Sequence, residues 1–159
     1  MRSFLFALPV ILAALGLFAS TAAADRPSTA TGTYIATGPP TVTNIRTAGP
    51  NTFITESVPA LYAGDLSGPF VVAGVVHLMS DGSFTTSEGT VVCTGCTIGG
   101  RTGDFSAVTN IRGPSLFSGV TGHITITSAS GGLTGLHGTA DFAGSSLTGT
   151  DSYAYHFEP

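Results

Sequence analysis

Between Thr33 and Phe157 glycine and proline interrupt the chain at short intervals, and the residues between these breaks are rich in Thr, Val, Ile, Phe and Tyr. Such residues suit a pleated, half-buried surface, whereas scattered glycines destabilise helices. No stretch sets apolar residues at helical spacing. The chain therefore reads as all-β. Its β-type runs are Thr33–Thr37, Val42–Thr47, Thr52–Leu61, Phe70–Leu78, Ser83–Val92, Phe105–Ile111, Gly122–Thr127, Thr139–Phe142 and Ser152–Phe157. Several alternate with period two: Ile124 and Ile126 oppose His123, Thr125 and Thr127, and Tyr153, Tyr155 and Phe157 oppose Ala154 and His156.

Turn signals join these runs at Gly38-Pro39-Pro40, Gly49-Pro50-Asn51, Ser80-Asp81-Gly82-Ser83 and Gly113-Pro114. Asp81-Gly82 marks a hairpin, because tight hairpin turns want positive φ at their centre. Many short strands with such turns imply a sandwich or a barrel. The chain has no Trp and no Cys…Trp…Cys arrangement, which removes the support for an immunoglobulin-type sandwich. Gly74, Gly89, Gly119 and Gly122, within or beside strands, suit the bulges and coiling that close a small barrel. The expectation is a single closed antiparallel barrel of about eight strands.

The N-terminus constrains the address. Met1-Arg2 begins a short positive start, Phe4–Phe18 is an apolar run, and Ala19–Ala24 are small residues before Asp25-Arg26. This is the pattern of an export signal, and the run is short for a membrane-spanning helix. The expected organisation is a signal peptide over 1–24 cleaved after Ala24, a flexible lead-in over 25–31, and a barrel domain over 32–159. Cleavage would leave four Arg and no Lys against nine acids, a net charge of −5. No basic cluster exists, so a nucleic-acid or anionic-lipid partner is not expected. The product is expected to be secreted, free of the membrane once the signal is removed, and large enough for its own core. Its oligomeric state is not legible.

Chemistry-bearing residues are few. Cys93-Thr94-Gly95-Cys96 ends a β-run with no helix after it; in an exported chain these two thiols read as a structural disulfide, with redox and metal roles as alternatives. No metal site and no cofactor are expected, since two thiolates without nearby His are a poor zinc set. His77 sits in the apolar run Val75–Met79, Glu56 shares a face with Ile54 and Val58, and Glu88 shares one with Phe84 and Val92. If those faces turn inward, burial would raise the carboxyl pKa and suit it to proton transfer. Glu56, Glu88 and His77 are thus the catalytic candidates. Phe84, Tyr153, Tyr155 and Phe157 are the candidates for a cavity wall, the last three being also compatible with the closing strand of an outer-membrane barrel. The hydrolase elbow, phosphate loop and His-Glu-x-x-His signatures do not occur.

Three Gly-rich phrases, Tyr62–Gly68, Gly99–Phe105 and Gly131–Ala140, resemble steps in a group of bacterial secreted proteins of unknown function. That group has an allene oxide cyclase-like, calycin-like barrel related to plant dirigent proteins. The resemblance spans about Thr31 to Phe157 and implies the barrel fold. Plant proteins of the fold carry out cyclisation and stereoselective coupling, and no phrase here matches their catalytic positions. Three roles follow as expectations: binding of a small apolar or amphipathic ligand, cyclase- or isomerase-type catalysis through a buried carboxylate, or a ligand-free structural barrel.

Overall fold

The computed structural model describes residues 27–158, so the expected signal peptide and the first lead-in residues lie outside the described residues. The strands are β1 (Ser28–Ala36), β2 (Thr41–Ala48), β3 (Asn51–Gly64), β4 (Leu66–Leu78), β5 (Phe84–Ile98), β6 (Arg101–Gly113), β7 (Val120–Gly131), β8 (Leu136–Gly144) and β9 (Thr148–Phe157). Each contains most or all of one run read from the sequence. Ser28–Thr31, expected in the flexible lead-in, instead begin β1, because they pair with Ser152–Tyr155 of β9. The β5 run, read as ending at Val92, continues through both cysteines to Ile98.

From β3 to β9 each strand pairs antiparallel with its successor, and β1 closes the ring by pairing with both β9 and β3. Gly32 of β1 faces Gly64 on one side and Asp151 on the other. Gly64 has φ +125°, and a Cβ there would lie 2.8 Å from the Gly32 Cα, so the seam depends on bare backbone. The result is a closed eight-stranded antiparallel barrel. β2 stands apart: among the described residues it pairs only with β3, over Asn51–Ser57, above the part of β3 that β1 covers. Gly38-Pro39-Pro40 consequently makes no hairpin but passes the chain from one stretch of the β3 edge to the next. The Asp81-Gly82 signal does make one, with Gly82 at φ +86° and the Met79 N–H bonded to the Ser83 carbonyl at 2.9 Å.

The core fills the end of the barrel where the β3–β4, β5–β6 and β7–β8 turns gather. Leu133, in the turn after β7, has no exposed surface and joins Leu66, Ile98, Phe105 and Leu136 in one cluster. The disulfide Cys93–Cys96 belongs to the same cluster, its Cα atoms 5.9 Å apart and both residues wholly buried. It spans a bulge in β5, where the register against β6 shifts between Cys93 and Cys96, rather than a turn between strands. Three buried residues, Val76, Phe84 and Val120, form a smaller cluster toward the other end. Between the two clusters the interior is not filled.

Candidate functional site

That space is a cavity of about 100 Å³. A void of roughly 10–15 Å³ on this measure holds one water, so there is room for a small organic molecule. Its apolar wall is built from inward residues of β3 to β7, among them Val58, Val72, Val91, Ile111 and Ile124, with Leu116 from the β6–β7 loop. These positions face inward because successive residues of a strand point to opposite faces.

Aromatic rings line the rest. Tyr62 stacks on Phe70 with centroids 3.7 Å apart and meets Tyr153 edge-on at 6.2 Å. Tyr34 meets Phe142 edge-on at 5.7 Å, and its hydroxyl donates to the Ser145 carbonyl. Most remaining polar atoms are committed to backbone. The Thr86 hydroxyl accepts from the Ile111 N–H at 3.0 Å, and the Thr109 hydroxyl donates to the His123 carbonyl at 3.1 Å.

Asp151 is not: it is 5 % exposed, lines the cavity, and its Oδ2, like the nearby Tyr153 hydroxyl, is buried with no hydrogen-bond partner among the described residues. Burial pushes its carboxyl up to about 6, an effect partly offset by the Tyr153 hydroxyl, which approaches without completing a hydrogen bond. The phenols respond in turn. Burial, with the Asp151 charge adding to it, pushes Tyr34 up to about 12, and burial raises Tyr62 and Tyr153 as well. All three stay protonated at neutral pH, and the Tyr34 O–H is already donated to the Ser145 carbonyl. Near neutrality Asp151 can hold a proton or release one, and can accept a hydrogen bond from a bound molecule.

Glu56 also lines the cavity, half-buried on the tall β3 wall, and burial raises its carboxyl. Glu88 does not. The register of β5 slips against β6 between Thr85 and Gly89 and against β4 between Ala73 and Val75. Thr86 keeps its inward place, Gly89 and Val91 follow it, and Glu88 and Val92 turn out to solvent. Glu88 takes φ +54° at this bulge. His77 lies on the outer wall, its ring stacked on Phe53 at 4.3 Å with Nε2 buried and unpartnered. Phe84 lines the cavity. Tyr153 and Tyr155 border a second void of about 20 Å³ nearer the filled end. Phe157 packs at that end with the Arg101 guanidinium 4.0 Å over its ring. Sequence reading missed Asp151, Tyr34 and Tyr62. The alternation Asp151, Tyr153, Tyr155 is a usable signal for the first, which lies inside β9 one residue before the run expected from Ser152.

No family model and no curated protein matches the chain. Its fold is similar to the crystal structure of a protein of unknown function from the DUF3224 family of Shewanella oneidensis MR-1. The two share 19 % identity at a TM-score of 0.66, over 84 % of this chain and 98 % of the other. At that identity the likeness shows the barrel fold.

Proposed function

We propose that this barrel binds a small apolar or amphipathic molecule in its cavity. The observation that supports this best is an unfilled interior of about 100 Å³ walled by apolar and aromatic side chains, with the unpaired Asp151 carboxyl oxygen set among them. Ligand sites characteristically combine such walls with a few placed polar atoms. The loops and strand ends around the opening add exposed apolar residues: Phe117 is 78 % exposed, Ile45 60 % and Leu147 46 %. The resemblance to allene oxide cyclase-like barrels accords with an occupied interior. We place the protein outside the cell after cleavage behind Ala24, where the buried Cys93–Cys96 disulfide suits an oxidising compartment.

A second reading is an isomerase- or cyclase-type enzyme. The Asp151 carboxyl favours it, since a proton acceptor titrating near neutrality faces the cavity beside three phenols.

Intact mass of the exported protein tests the first reading. Denatured mass reports cleavage and the loss of two thiol hydrogens. A ligand is expected as added mass that survives only native spray after exposure to culture extract, and Val72→Trp, which fills the cavity, is expected to abolish it. Bare protein under every condition would overturn ligand binding. A bound compound released as its structural isomer would favour the enzyme.

A further inference from the structure

We infer that the cavity selects a small amphipathic amine, its cationic head held by Asp151 and its hydrocarbon part by the aromatic wall. The inference rests on the cavity being a ligand site. Three observations carry it. First, the Asp151 Oδ2 is buried without a partner, and an unpaired buried acceptor is costly until a donor meets it.

Second, the cavity is electrically one-sided. Among the described residues its lining holds two carboxylates, Glu56 and Asp151, and no Lys, Arg or His. Arg46 lies 3.9 Å over the Phe53 ring on the outer wall, and Arg101 caps Phe157 at the filled end. Among the described residues the groups facing Asp151 are Tyr34 from β1, Tyr62 from β3, Phe142 from β8 and Tyr153 from its own strand, none of them cationic. An alcohol would satisfy one oxygen and leave the negative charge uncompensated. An anion would be repelled.

Third, the faces of aromatic rings attract cations, and Tyr34, Tyr62, Phe70 and Phe142 surround the same volume. The cavity, about 100 Å³, is on the scale of one aromatic ring.

Calorimetric titration of the exported protein with phenethylamine, phenethyl alcohol and phenylacetate tests this. At about pH 8 the amine is expected to bind at least roughly tenfold more tightly than the alcohol, with phenylacetate not bound. The amine's affinity is expected to fall about tenfold on going to about pH 5, as Asp151 takes up its proton while the amine stays charged. Asp151→Asn, checked for folding by circular dichroism, is expected to remove most of both the preference and the pH dependence, the Glu56 carboxylate being the one left in the lining. The pH series on the unaltered chain stands even if that variant fails to fold. Alcohol binding as tightly as amine would overturn the amine inference and leave the cavity reading intact. An amine preference unchanged in Asp151→Asn would overturn Asp151 as its holder. If none of the three binds, both the inference and the cavity reading fall.

Discussion

Phe142 of β8 stands directly opposite Asp151 of β9, so an aromatic ring and a carboxylate share one level of the barrel's inner wall. Nothing in that pairing repays the lost hydration of an ionised acid. The carboxylate is held there by its strand, and the fold carries the cost.

That cost depends on pH. In the folded chain Asp151 titrates at about 6, above the ordinary 3.8. Below the ordinary value both folded and unfolded states hold the proton, and there is no penalty. Above about 6 the folded state must keep the group ionised, and the penalty is complete. This contribution to stability therefore falls as pH rises through the window between those values. Allowing for water in the open cavity, the effect is on the order of 2 kcal/mol. Asp151→Asn is expected to recover about 1–2 kcal/mol at about pH 8 and little at about pH 4, read by urea unfolding at both. Equal effects at the two pH values would contradict the account.

Glu88 offers a separate test on the outside of the barrel. A side chain at φ +54° is strained by its own Cβ, and glycine is not. Glu88→Gly is expected to stabilise the fold by up to about 1 kcal/mol, whereas Glu88→Val should destabilise it. A loss on substitution by glycine would mean that the Glu88 side chain makes a contact that matters.

At the filled end, Leu133→Ala removes a side chain with no exposed surface from the turn that underlies the main core. The expected loss is about 2–5 kcal/mol. Leu147→Ala, at 46 % exposure on the opposite end, should lie within about 0.5 kcal/mol of the parent. Thermal unfolding of the pair distinguishes a packed end from an open one.

The disulfide closes a very short loop, so its entropic contribution is small. Replacing both Cys93 and Cys96 by Ala is expected to cost under about 3 kcal/mol and to leave the circular dichroism spectrum unchanged. Because both residues are wholly buried, mild reductant should not expose thiols to an alkylating reagent until denaturant is added. Rapid labelling of the native protein would show that this part of β5 opens readily.

Local features of this fold were legible because they are written locally. Nine β-runs and the Asp81-Gly82 hairpin follow from propensity, alternation and turn chemistry, and the structure has them. Phase across a bulge is not local. Glu88 looked inward because Phe84 and Thr86 do, and the slip that turns it out depends on how β4 and β6 pair with β5. Pairings between strands far apart in the chain were likewise hidden. The contact of Ser28–Thr31 with β9 and the sharing of the β3 edge by β1 and β2 are fixed by closure of the whole ring. Asp151 was lost to a strand boundary. Acids are unusual in the interior, and only the converging walls of β1, β3 and β8 show what surrounds it.

Among the described residues Leu133 and its neighbours stop up one end of the barrel, so traffic into the cavity runs through the other. Whatever enters must back out along the same path. Detailed balance then ties the two directions together: a substitution at the threshold, such as Phe117→Ala, that touches neither the bound molecule nor the floor changes arrival and escape by one common factor. For a ligand taken up as proposed, residues at the doorway would thus set how quickly occupancy follows a changing concentration, while those at the floor would set the concentration at which the vessel is half full.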